Sequence, residues 1–319
     1  MKCVVTGGAG FIGSNLVDKL IKKNYEVVVY DNLKTGKMEF LSDAKKSNKF
    51  TFVLGDLNDL DNLKNTFSGA DIIFHLAANA DVRYGLEKTD RDLVENTIGT
   101  YNVLESMRLT EVKKIVFSST SSIYGEAEII PTPENAPFPI QTSLYASSKL
   151  SGEALITSFC EGFDFQCWIY RFVSILGKRY THGHVYDFVN QLIHDPNKLT
   201  VLGDGFQNKA YINVQDCVEG ILHGIEKSKD KINIFNLGSE QSCEVRESIG
   251  WICNEMNINP NLMFSGGRQG WIGDNPIIKL DPQKMEKIGW KASVSLETSV
   301  RETVSWLLKN QWCLEKKQD

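Results

Sequence analysis

At 319 residues, 42% hydrophobic and 24% charged, the chain has an ordinary globular composition and enough length to bury a large core, as one α/β unit or as two lobes. A net charge of -5 gives no general electrostatic pull toward nucleic acid, and the longest apolar stretches are strand-sized, short of the roughly 18 to 20 residues of a membrane helix. Seven scattered cysteines, odd in number and without a CxxC pair, argue against a disulfide framework and a zinc site.

The chain opens on a β-rich run at Lys2, which leaves no room for a signal peptide, so the expected address is the cytoplasm. Over the first 120 residues, short runs rich in Val, Ile or Phe (2–6, 26–30, 51–54, 71–76 and 114–119) alternate with helical patterns. Ile12, Leu16, Val17, Leu20 and Ile21 recur at helical spacing, as do Leu93, Thr97, Tyr101 and Leu104. Strands alternating with helices imply a doubly wound parallel sheet. The stretch 129–139 holds four of the eight prolines, the last being Pro139, and is read as a surface loop leading to a helix near Tyr145. Later strands at 166–172 and 231–237 extend the sheet. Residues 1–173, with 211–238 returning, are expected to form one domain; 174–210 and 239–319 are expected to form a smaller mixed lobe that takes the substrate.

Three features carry chemistry. The first strand runs into Gly7-Gly8-Ala9-Gly10-Phe11-Ile12-Gly13 and then a helix. Such a turn lets Gly7 bend the chain, Gly10 admit a pyrophosphate and Gly13 bring helix and strand close, with phosphates facing the helix N-terminus. The second strand ends in Asp31-Asn32, at the distance expected of an acid that binds an adenosine ribose; a carboxylate there would repel a 2′-phosphate and so selects NAD over NADP. Asp56-Leu57 closes the third strand, where an adenine could sit or an aspartate could simply form a turn.

Tyr145 and Lys149, four residues apart, would share a helix face. A neighbouring ammonium and a positive nicotinamide would lower the phenol pKa from near 10 toward working pH, making Tyr145 a general base for a hydroxyl proton. Ser118-Ser119-Thr120-Ser121-Ser122 brings hydroxyls to the end of a parallel strand, where one of them should bond the reacting oxygen.

With these motifs in place the chain resembles the extended short-chain dehydrogenase/reductase family, in particular nucleotide-sugar epimerases of the UDP-glucose 4-epimerase type. The likeness runs nearly end to end, through Gly55-Asp56-Leu57, His75-Leu76-Ala77-Ala78, Asn96 with Gly99-Thr100, Tyr124-Gly125 and Leu202-Gly203-Asp204-Gly205. It implies a Rossmann-type sheet, tightly held NAD and a homodimer. Thr120, Tyr145 and Lys149 would be catalytic, and Gly7, Gly10, Phe11, Ile12, Gly13, Asp31, Asn32, Asp56, Leu57, Ala77, Ala78 and Asn96 would line the cofactor along with Tyr145 and Lys149. A nucleotide sugar, most simply a UDP-hexose, would be oxidised at C4 to a ketone, turned over and reduced on its other face. Relatives that dehydrate follow the catalytic Thr with Asp-Glu, and decarboxylases commonly place Glu second; here stand Ser121 and Ser122, which leaves epimerisation preferred. Dehydration, decarboxylation or reduction of a nucleotide sugar are the alternatives within the family, and a non-catalytic NAD-binding protein the alternative outside it. Ser174 stands where relatives carry Asn, Lys209 where they carry Arg, and Arg268 is displaced by one place; these, with Arg179, Ser121 and Ser122, are the expected substrate contacts.

Overall fold

The computed structural model describes residues 1–79, 84–138 and 140–314, the side chain of Tyr84 excepted. Pro139 lies outside the described residues. The chain divides into two compact units, each described by itself: residues 1–123, 143–171 and 221–235 in the first, and 124–142, 172–220 and 236–319 in the second.

The strands of the first unit are β1 (Lys2–Thr6), β2 (Glu26–Asp31), β3 (Phe50–Leu54), β4 (Ile72–His75), β5 (Lys114–Thr120) and β6 (Gln166–Phe172). Its helices are α1 (Phe11–Lys22), α2 (Leu60–Phe67), α3 (Gly99–Leu109) and α4 (Leu144–Phe163), with a π-helical segment, Leu93–Ile98, leading into α3. The second unit contributes β7 (Ser174–Leu176), β8 (Lys198–Val201), β9 (Asn208–Asn213) and α5 (His184–His194). After α6 (Val214–Lys227) and β10 (Ile232–Leu237) come β11 (Ser242–Glu244), β12 (Asn261–Phe264), β13 (Ile277–Ile278), α7 (Val245–Met256), α8 (Gln283–Lys287) and α9 (Leu296–Lys309).

Seven strands form one sheet in the order β10-β6-β5-β4-β1-β2-β3, parallel in the pairs from β5 to β3. The strands expected from sequence are all there, their ends moved by a single residue at most. Val4, Val28, Ile73, Ile115 and Ile169 face a core closed by Leu63 and Phe67 of α2, Leu104 and Met107 of α3, and Ile156 and Cys160 of α4. Their neighbours along each strand, Cys3, Val5, Val27, Val29, Ile72 and Phe74, point to the opposite face and are equally buried. In the second unit β11, β9, β13 and β7 form a small sheet and β12 pairs with β8. Residues 124–142 cluster with this unit rather than with the sequence-contiguous sheet domain, Thr132 forming a parallel bridge to Leu280.

One periodicity misleads. Of Leu93, Thr97, Tyr101 and Leu104, only Leu104 is core; Leu93 is 54% exposed and Tyr101 45%. The π-helical segment adds a residue to the turn and so rotates the face, and Asn96, Thr100 and Val103 point inward instead.

Candidate active site

The order of strands reverses between β1 and β4, and the loops after these two strands lie together there. Gly7 takes φ 70°, and a Cβ on it would stand 2.6 Å from the Ala77 nitrogen. A Cβ on Gly13 would meet the Gly7 carbonyl oxygen at 2.2 Å, so strand and helix approach through these two positions. Gly10 differs: its Cβ would touch only that oxygen, at 3.2 Å, and as N-cap of α1 it supplies no side-chain cap. No side-chain cap therefore stands over the first turn of α1, where Phe11 is buried and Ile12 partly exposed.

Asp31 is buried at the end of β2. Its Oδ2 accepts from the Ala9 nitrogen at 2.9 Å and its Oδ1 from the Leu33 nitrogen at 2.8 Å. Burial raises its pKa against these bonds. The same carboxylate that sequence assigns to a ribose therefore also braces the glycine turn. Asn32 donates to Asp56 Oδ2 at 2.9 Å, while Leu57 is a core residue. A helix start without a side-chain cap, an acid at the neighbouring strand end and partly exposed Ala77 and Ala78 fit a dinucleotide.

Helix α4 begins at Ser143, whose hydroxyl accepts from the Ala146 nitrogen at 3.1 Å. Tyr145 and Lys149 follow one turn apart. Lys149 is 3% exposed; its Nζ donates to the Ser118 carbonyl at 2.9 Å and lies 4.8 Å from the Phe117 ring centre. Burial lowers its pKa to about 7, opposed by Asp92 and Glu153. Thr120, at the end of β5, donates to Ser122 Oγ at 3.2 Å and accepts from the Ser122 nitrogen at 3.1 Å. The Tyr145 phenol is not lowered, as the sequence reading expects, but pushed up to about 12: burial outweighs the lowering influence of the Thr120 hydroxyl, and Asp92 adds to the rise. Lys149 spends its ammonium on a carbonyl and a ring, so the protein by itself holds Tyr145 as a phenol.

Asn96 has no polar atom left over. Its Oδ1 accepts from the Asn79 nitrogen at 2.8 Å, and its Nδ2 reaches Asp92 Oδ1 at 3.2 Å and Ser148 Oγ at 2.9 Å. His75 bridges Thr6 and Thr100 at 2.8 and 3.0 Å, fully buried and held neutral by burial first and Lys149 second. Asp92 and Glu153 were not singled out in the sequence. An acid one helical turn after Lys149, and one four residues before Asn96, are the signals that would have found them.

The expected substrate contacts of the second unit scatter. Lys209 is buried, its ammonium 2.6 Å from Asp274 Oδ1 and 4.7 Å from the Trp271 ring centre. Asp274 Oδ2 in turn accepts from the Gly270 nitrogen at 3.0 Å, so this pair fastens the loop that carries Trp271. Arg268 is 70% exposed at its side chain and lies 3.7 Å from Glu126. Ser174 opens β7, and Arg179, at φ 71°, is half-buried. Ser121 is buried and Ser122 partly so, both in the first unit beside Thr120. Among the described residues there is no cluster of three or more His, Cys, Asp or Glu that could hold a metal, and no helix is long and apolar enough to cross a membrane.

Residues 3–238 match the NAD dependent epimerase/dehydratase family, and the chain belongs to it. A UDP-glucose 4-epimerase of Mycolicibacterium smegmatis is 31% identical, over 96% of this chain and 98% of its own. The crystal structure of a UDP-galactose 4-epimerase is 34% identical with a TM-score of 0.87, covering 98% of this chain and 100% of that one. The UDP-glucose 4-epimerase of Thermotoga maritima, solved with UDP-glucose, is 31% identical with a TM-score of 0.88 and the same coverages.

Proposed function

We propose that the protein is a cytoplasmic, NAD-dependent 4-epimerase of a nucleotide sugar, most simply a UDP-hexose. One observation carries the reading: Thr120, Tyr145 and Lys149 stand at one strand end and one helix turn, while the two positions after Thr120 are serines. Elimination or decarboxylation at neighbouring carbons needs an acid or base there, and Ser121 and Ser122 supply neither. The relatives named for UDP-glucose and UDP-galactose epimerisation support the same substrate class.

Gly7, Gly10, Gly13, Asp31 and the start of α1 would hold the dinucleotide. When bound, NAD supplies the hydride acceptor at C4 and a positive ring charge. Tyr145 takes the C4 hydroxyl proton and later returns it to the 4-ketone. Thr120 orients the phenol and the reacting oxygen. Lys149 fixes a positive charge beside the strand end through Ser118. The exposed apolar residues Tyr101 and Leu109 of α3 and Leu144 and Phe163 of α4, with exposed Ala154, support a homodimer through these helices.

Incubation with UDP-glucose, UDP-galactose, UDP-N-acetylglucosamine or UDP-glucuronate, followed by NMR of the C4 configuration, tests the reaction. Inversion of one of them, unaccompanied by solvent deuterium at C5 or C6, is expected. Absence of inversion with every nucleotide sugar would refute it, and labelling at C5 or C6 would make the enzyme a dehydratase. Equilibrium ultracentrifugation tests the dimer: a monomer at micromolar concentration would remove that part.

A further inference from the structure

Two buried carboxylates flank the turn of α4 that carries Tyr145 and Lys149, and they differ in how their charge is answered. Glu153, one turn past Lys149, receives Arg171 Nε at 3.0 Å, Arg171 NH2 at 2.7 Å and the Ser119 hydroxyl. Asp92 is 1% exposed and, among the described residues, has no ion-pair partner. Neutral amides of Asn79 and Asn96 donate to its Oδ1 at 2.9 and 3.2 Å, and among the described residues its Oδ2 has no hydrogen-bond partner. Burial raises the Asp92 pKa, opposed by the Asn79 bond, and once ionised its charge acts over a long range in such surroundings.

The hydrogen bonds lead from Asp92 to the reactive turn. The Asn96 amide that holds Asp92 also reaches Ser148 Oγ at 2.9 Å, and the Ser148 hydroxyl donates to the Tyr145 carbonyl at 2.8 Å. Other charged or titratable groups around the pair are already answered. Arg171 of β6 and Glu153 of α4 neutralise each other, and His75 of β4 is held neutral. On the turn of Asp92 itself, Arg91 and Glu95 lie 3.5 Å apart.

We propose that Asp92 is the fixed counter-charge of the Tyr145–Lys149 pair, a positioning residue that acts on the chemistry through electrostatics and without touching substrate. The proposal rests on the reading of Tyr145 as the base. A fixed negative charge favours the protonated form of both partners. It pushes up the pKa of Lys149, against burial, and adds to the rise of Tyr145. Asp92 thereby shifts the ligand-free site toward ammonium and phenol, and sets the pH range over which the pair works.

The test compares Asp92→Asn and Asp92→Glu in the NAD-loaded enzyme. Asn keeps an acceptor for the two amides and removes only the charge. Both limbs of the kcat–pH profile should then move to lower pH, by roughly 1 unit. The ultraviolet phenolate signal, taken as wild type minus Tyr145→Phe, should move its midpoint in the same direction, and Asp92→Glu should leave both near wild type. A fall in kcat with an unmoved profile and an unmoved phenolate midpoint would make Asp92 a packing residue and overturn the proposal. Should Asp92→Asn fail to fold, Asp92→Ser removes the same charge and is read by the same two curves. If Tyr145→Phe stays active while Asp92→Asn still moves the phenolate midpoint, the catalytic reading fails and the electrostatic coupling stands.

Discussion

Each of the two compact units buries an ion pair, and the two pairs are put to different use. In the first unit Glu153 and Arg171, with Ser119, tie α4 to β5 and β6 and leave Tyr145 and Lys149 outside the pair. In the second, Lys209 and Asp274 join the small sheet to the 270–274 loop, and the cation that sequence marks as a substrate contact is consumed in doing so. A buried pair next to a reactive group can thus hold its scaffold without quenching it, whereas a pair made from the candidate ligand itself turns that residue into a loop fastener. In the first unit the proposed reactive groups stand outside the ion pair; in the second a proposed ligand is one of its members.

The largest effect expected from this contrast is on stability. Glu153→Ala strands Arg171 and should cost about 3–5 kcal/mol in urea unfolding, the usual result of breaking a buried pair from one side. Asp274→Ala should cost less, about 2 kcal/mol, because the Lys209 ammonium keeps the Trp271 ring and some access to water. Equal losses, or the reverse order, would break the comparison.

A smaller effect sharpens it through pH. His75 in the first unit and His184 in the second are both pushed down to about 3, by burial first and then by Lys149 and Lys209 respectively. A histidine whose folded pKa lies below its unfolded value near 6.5 lets the unfolded chain bind the proton first, so its stabilisation is complete above 6.5 and declines as pH falls toward 3. For His75 the loss should be about 2 kcal/mol between pH 6.5 and 5. His75→Gln retains polar atoms for Thr6 and Thr100, and its urea midpoint should depend less on pH over that window. Parallel pH curves for the variant and wild type would show that His75 does not report on folding.

Legibility from sequence follows the same division. The sheet could be read because its strands are near-continuous Val, Ile and Phe runs, a pattern imposed by burial on both faces. The glycine turn could be read because backbone approach at Gly7 and Gly13 tolerates no Cβ. Tyr145 and Lys149 could be paired because helical spacing fixes their common face. Spacing says nothing of desolvation, and that is why the phenol was expected to fall and instead rises. Nor does a local pattern reveal partners remote in the chain: Lys209 meets Asp274 across 65 residues and Asn96 meets Ser148 across 52. The π-helical segment defeated the periodicity at 93–104 because one added residue per turn rotates every later side chain.

The smallest effect decides what the second unit contributes. Arg268 is 70% exposed and 3.7 Å from Glu126, a surface contact whose removal should change unfolding by no more than about 0.5 kcal/mol. If Arg268 serves the nucleotide diphosphate in place of the buried Lys209, Arg268→Ala should raise KM for the nucleotide sugar about tenfold, near 1.4 kcal/mol, and leave kcat unchanged, since a contact to a non-reacting group contributes equally before and at the transition state. Steady-state kinetics across the UDP-sugars reads both parameters at once. An unchanged KM would remove the remaining sequence-marked cation of the 266–274 loop from substrate recognition. The backbone that Lys209 and Asp274 hold in place would then be left to carry it, and the contrast between the two units would be sharper still.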